Sequence, residues 1–121
     1  MSFYLHQWSY KDAQIKSMLL EPDDRAEVVR TATEAFGGTL HHFFYSFGEF
    51  DGVAISEYPD NETALASLMS IFAQGRINNV RSTLLFTAEE GLNSLRKARE
   101  VIGANDAEPV KKQSSRSAEK P

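Results

Sequence analysis

Short runs rich in β-branched and aromatic residues alternate along this chain with stretches whose apolar positions recur three and four apart. The runs are Phe3 to Trp8, Thr39 to Phe47, Gly52 to Tyr58 and Ile77 to Phe86, and they read as strands. Between the first two, Ala13, Ile15, Met18 and Leu19 suggest a short helix. Pro22 then restarts the chain, since a proline in a first helical turn loses no hydrogen bond. Ala26, Val29, Ala32 or Thr33, and Phe36 form the buried face of the helix that follows, and Gly37-Gly38 stops it. Asp60 is the expected N-cap of a helix running to about Ala73, with Leu65, Leu68, Met69 and Phe72 on its inner face. Thr87-Ala88-Glu89-Glu90 has capping-box form and opens a last helix carrying Leu92, Leu95, Ala98 and Ile102, ending near Gly103. Residues 104–121 turn polar, with Lys, Ser, Glu and Pro prominent, and read as a disordered tail after a domain of residues 1–103.

The order is β-α-β-β-α-β with a further C-terminal helix, an α+β, ferredoxin-like split βαβ arrangement with one antiparallel sheet and two helices on one face. The strands are apolar on both alternations: Phe43, Tyr45 and Phe47 on one, Leu40 and Phe44 on the other, with Tyr4 and Trp8 alternating against Phe3 and Leu5. The second sheet face therefore wants cover, and a second copy of the chain is the simplest cover. The expectation is a homodimer packed sheet against sheet, with a cavity left between the sheets.

Composition narrows the function classes. The chain has 121 residues, enough for one domain with a modest core, and a net charge of −4. That charge argues against a nucleic-acid binder, which needs a positive surplus to displace counterions. With no cysteine, disulfides, thiolate metal sites and cysteine nucleophiles are excluded. The N-terminus does not read as a signal peptide and no run approaches the roughly 18 apolar residues of a membrane span, so a cytoplasmic protein without a membrane partner is expected.

A set of segments resembles the GYD domain family of the dimeric α+β barrel superfamily. They are Trp8-Ser9, the corner Gly48-Glu49-Phe50-Asp51, the run Val53-Ala54-Ile55-Ser56-Glu57 followed by Pro59-Asp60, and Asn79-Val80-Arg81-Ser82-Thr83. The corner stands where the family has Gly-x-Tyr-Asp, with Phe50 replacing the tyrosine, so a role resting on that hydroxyl does not carry over. The resemblance covers about Phe3 to Glu90 and implies the fold and dimerisation. It implies no activity: the superfamily includes cofactor-free monooxygenases and small-ligand binders, and a shared fold does not transfer chemistry.

The candidate chemistry lies in histidines and aromatics. His41 and His42 are strand neighbours and should point to opposite faces, so they cannot share a metal in a regular strand. His6 and His42 make the better pair: if Tyr4, His6 and Trp8 face the inter-sheet cavity, His42 and Phe44 join them there, with Tyr45 and Arg81 as further ligand-binding candidates. A metal needs three or more ligands, and only Glu57 stands near as an acidic strand residue, so neither metal nor cofactor is expected. Asp51 reads as a turn former accepting local backbone N–H groups. Arg81 could pair with Asp51 or Glu57, or hold an anion. Three readings stay open: a homodimer binding a small, partly apolar or aromatic ligand; a cofactor-independent oxygenase or isomerase using His6, His42 or Tyr45 as acid or base; and an assembly subunit with no cavity.

Overall fold

Nine residues at the N-terminus, Ser2–Tyr10, form strand β1, whose even-numbered side chains from Tyr4 onward are buried. The computed structural model describes the backbone of residues 1–117 and side chains through residue 103. After β1 come α1 (Asp12–Leu20), α2 (Arg25–Ala35), β2 (Thr39–Tyr45), β3 (Gly52–Tyr58), α3 (Asn61–Ala73), β4 (Ile77–Leu85) and α4 (Ala88–Ser117). The sheet is antiparallel in the order β2-β3-β1-β4, as the split βαβ pattern requires. The chain divides into two compact units, Met1–Leu85 and Phe86–Pro121.

Helix starts follow their local chemistry. Asp24 caps α2 by accepting the Glu27 N–H, so the helix begins at Arg25 and not at Pro22. Asp60 caps α3 by accepting the Thr63 N–H at 2.8 Å, which holds its carboxyl below the usual aspartate value. Gly37, at φ +75°, takes the left-handed turn that ends α2. Before α4, Thr87 and Glu90 form the reciprocal capping box, with bonds of 2.8 and 3.0 Å. The α4 backbone continues helically past Gly103 to Ser117. Of the polar tail expected over 104–121, the side chains and all of residues 118–121 lie outside the described residues.

Register fixes which side chains share a face. One set of cross-strand rows runs Leu40–Ser56–Tyr4–Leu84 and Phe43–Ala54–His6–Ser82, with Tyr45–Gly52–Trp8 beside it. This face packs against α2 and α3. Trp8, Tyr10, Leu40 and Ala54 form one core cluster with Val29, Phe43 and Val80 against it; Tyr4, Tyr58 and Ala64 form another with Phe36. Gly52 is required here by contact, because a Cβ at that position would lie 2.5 Å from the Trp8 indole. The opposite rows are Thr39–Glu57–Phe3–Leu85, His42–Ile55–Leu5–Thr83 and Phe44–Val53–Gln7–Arg81, on the face away from α2 and α3.

Two sequence expectations are corrected. α3 turns Ala64, Ser67, Leu68 and Ile71 inward and leaves Leu65, Met69 and Phe72 exposed. Small residues at 64 and 67 let the helix approach the sheet, where the Tyr58 hydroxyl and Ser67 Oγ bond at 2.9 Å in the interior. The register of β2 also slips between Leu40 and His42, so His41 is an extra, bulged residue. His41 and His42 therefore both lie on the outer face.

Candidate functional site

The inward face of β1 and β3 and the inner sides of α2 and α3 enclose a cavity of about 140 Å³. Trp8, Val29, Ala32, Ala54, Leu68, Ile71 and Val80 make most of its wall apolar, and His6, Ser56, Thr33, Ser67, Arg25 and Arg76 bring polar groups to it. The β1 and β3 positions follow from the register above, and those of α2 and α3 from helical spacing.

His6 is the central polar group. It sits directly across from Ser82 on β4, and its Nδ1 lies 2.8 Å from Ser82 Oγ. Tyr4 stacks parallel to the imidazole, with ring centroids 6.0 Å apart, and the Tyr4 hydroxyl is tied to Asn61 Oδ1 at the start of α3. The ring is thus held at Nδ1 and along one face, and it lines the cavity. Burial lowers the His6 pKa from 6.5 to about 4, because the apolar surroundings disfavour the imidazolium. At neutral pH the ring is an uncharged hydrogen-bonding group.

The histidine pair expected from the sequence does not form. Tyr4, His6 and Trp8 face the helices, whereas His42 and Phe44 lie on the other side of the sheet and stack on each other with centroids 6.1 Å apart. The bulge at His41 is the physical reason, since it moves the residues after Leu40 by one step in the alternation. His41 faces outward as well, where its Nε2 lies 2.9 Å from Glu57 Oε1 and its ring contacts Phe3 at 5.3 Å. Among the described residues no group of three or more His, Asp or Glu side chains is placed to hold a metal.

Tyr45 stands on the helix-side alternation, half exposed, at a shallow hollow formed with Ile15, Met18, Leu19, Pro22, Asp23 and Arg25. Its phenol is raised above the ordinary value, first by desolvation and then by Tyr10, Asp23 and Asp24, with Arg25 opposing. It is therefore protonated near neutrality and is not a base there.

The corner Gly48-Glu49-Phe50-Asp51 is a clamp between hairpin and first strand. The Asp51 N–H donates to the Trp8 carbonyl at 2.8 Å, and the Asp51 carboxylate accepts the Tyr10 N–H at 2.9 Å. Its acceptor role is real, but its partner is 41 residues away and not within the turn. Ser9 Oγ adds a bond to the Glu49 carbonyl. Phe50 is buried, and the Arg81 guanidinium lies over its ring at 5.4 Å. Arg81 thus meets an aromatic face and neither of the carboxylates expected for it. A tyrosine hydroxyl is not needed for that contact.

The sequence did not single out Arg25 or Ser82 for the site, nor the room that the small residues Ala32, Ala54 and Ser56 leave for the cavity. Ser82 was visible in the Asn79–Thr83 segment, but its pairing with His6 is set by the β1–β4 register, which shifts only farther along, between Gln7 and Ser9, near where Asn79 takes φ +52°.

Compared with known families, the chain matches the model of the GYD domain over residues 4–94. No curated protein and no solved structure matches it.

Proposed function

The chain belongs to the GYD domain family, and from that premise and the geometry of the sheet–helix cavity we propose that it is a binding protein for a small, largely apolar ligand. The observation that carries this is a cavity of about 140 Å³ with an apolar wall and one immobilised, uncharged imidazole. Apolar cavities of about 150 Å³ accept a benzene-sized molecule, and a few placed polar groups in an apolar pocket orient its ligand. A single aromatic ring, or a branched aliphatic group of similar size, suits the space, with a hydrogen-bonding group directed to His6.

Binding is favoured over catalysis by the same imidazole. A general base works best with a pKa near the operating pH, and His6, at about 4, is too weakly basic for that work near neutrality. Tyr45, with its raised pKa, is no substitute. We further propose that two copies pair through the outer sheet face, where Phe3, Leu5, Val53 and Ile55 are half-buried and Phe44 is exposed. That pairing leaves each protomer with its own cavity, in place of one shared between sheets.

Native mass spectrometry of the protein purified without added ligand tests the binding role. The expected result is an adduct in the mass range of a single-ring compound, absent from Ala32→Leu, in which the added side chain fills the cavity. An adduct retained at full strength by Ala32→Leu would place the ligand elsewhere and contradict the reading.

A further inference from the structure

Arg25 gives the cavity a chemical preference. It is the first residue of α2, and it lines both the sheet–helix cavity and the shallow hollow beside it. Its side chain is 12% exposed, so the guanidinium stands between the interior and solvent. The ion pair recorded for it runs from Nη1 to Asp23 Oδ2 at 3.2 Å. Its Nε is buried and has no hydrogen-bond partner among the described residues.

A buried donor left without an acceptor is uncommon in folded proteins and costs free energy. The guanidinium is a planar fork whose two edges each match a carboxylate. Asp23 engages Nη1 and the buried Nε meets no acceptor among the described residues, so the charge of Arg25 is only partly matched. Arg76 and Gln74 line the same cavity, while Tyr10 and Ile77 bring the ends of β1 and β4 to it. These groups cluster at one end of the sheet, and the wall formed by Trp8, Val29 and Ala54 is apolar.

We propose that the ligand class is small monocarboxylic acids with a single-ring or branched apolar body, the carboxylate paired with the Arg25 guanidinium where it lines the cavity and the body against Trp8, Val29 and Ala54. This rests on the small-ligand reading above and adds the anion to it.

Trp8 is the single tryptophan of the chain and lines the cavity, so its emission reports occupancy directly. The probes are benzoate and its neutral isostere benzamide, titrated into the full chain at constant ionic strength. The expected result is benzoate binding on the order of tenfold more tightly than benzamide, as one charge-assisted pair implies. Arg25→Gln should bring the two probes to within about twofold of each other, whereas Arg30→Gln, on the outside of the same helix, should leave the preference intact. Asp23→Asn, which removes the competing carboxylate, should tighten benzoate further, and this keeps the test open if Arg25→Gln fails to fold. Equal affinity for the two probes in the wild-type chain would overturn the carboxylate preference and leave the small-ligand reading standing. Failure of both probes, and of benzene itself, to alter Trp8 emission would overturn both.

Discussion

His6 shows how one residue can join folding to function. Its Nδ1 is held by Ser82, its face by Tyr4, and its charge state by the apolar wall around it. The imidazole takes up a proton near pH 6.5 when the chain is unfolded and only near 4 when it is folded. Between those values the unfolded chain binds more protons, so stability is full above pH 6.5 and declines as the pH falls toward 4. Over the whole window the loss amounts to about 3 kcal/mol. Urea unfolding from pH 7 to 4 should show this slope in the wild-type protein and a flatter one in His6→Gln, which keeps a hydrogen-bonding side chain without the titration. Gly52 makes a second case. Placing a methyl group against the Trp8 ring at 2.5 Å forces the indole or the strand to move. Gly52→Ala should cost about 1–3 kcal/mol and shift Trp8 emission, as overpacking does elsewhere; unchanged stability and emission would show that the contact relaxes freely.

At the scale of elements, the corner between β2 and β3 is a joint. Through Asp51 it binds the hairpin to β1 at Trp8 and Tyr10, the two aromatic residues at one end of the cavity wall. Asp51→Ala removes the acceptor of the Tyr10 N–H and should lower stability by about 1–3 kcal/mol. Asp51→Asn, which keeps a carbonyl oxygen, should lose less, and thermal unfolding of the two variants checks the order. Element identity was legible in the sequence because strand and helix periods, the Asp60 cap and the Thr87–Glu90 box are local. Facing was less so. The bulge at His41 leaves no mark in the alternation of Leu40 to Tyr45, yet it puts His41 and His42 on one face. On α3 the bulkiest residues drew the eye, but the sheet is approached by Ala64 and Ser67 because Tyr58 already fills the space between. For the same reason the cavity was not legible: small side chains and tertiary register make it. Tyr4, His6 and Trp8 were correctly grouped on one face, and that face looks toward the helices.

At the scale of the whole molecule, the sheet has a different task on each side. The inner face holds the cavity, and the outer face, with Phe44 59% exposed, is the proposed contact with a second copy. Light scattering after size-exclusion chromatography should give a dimer for the wild-type chain and a monomer for Phe44→Glu; a wild-type monomer would remove the outer face from the account. The central claim, that a ligand enters between sheet and helices, is tested most directly by nuclear magnetic resonance of the protein titrated with benzene and benzoate. Trp8 contributes one indole N–H signal, and the ring signals of His42 report the outer face. The account predicts a saturable shift of the Trp8 signal in the wild-type chain, lost in Ala32→Leu, with His42 unmoved. A Trp8 signal that stays still while His42 shifts would contradict it and return the site to the outer face of the sheet.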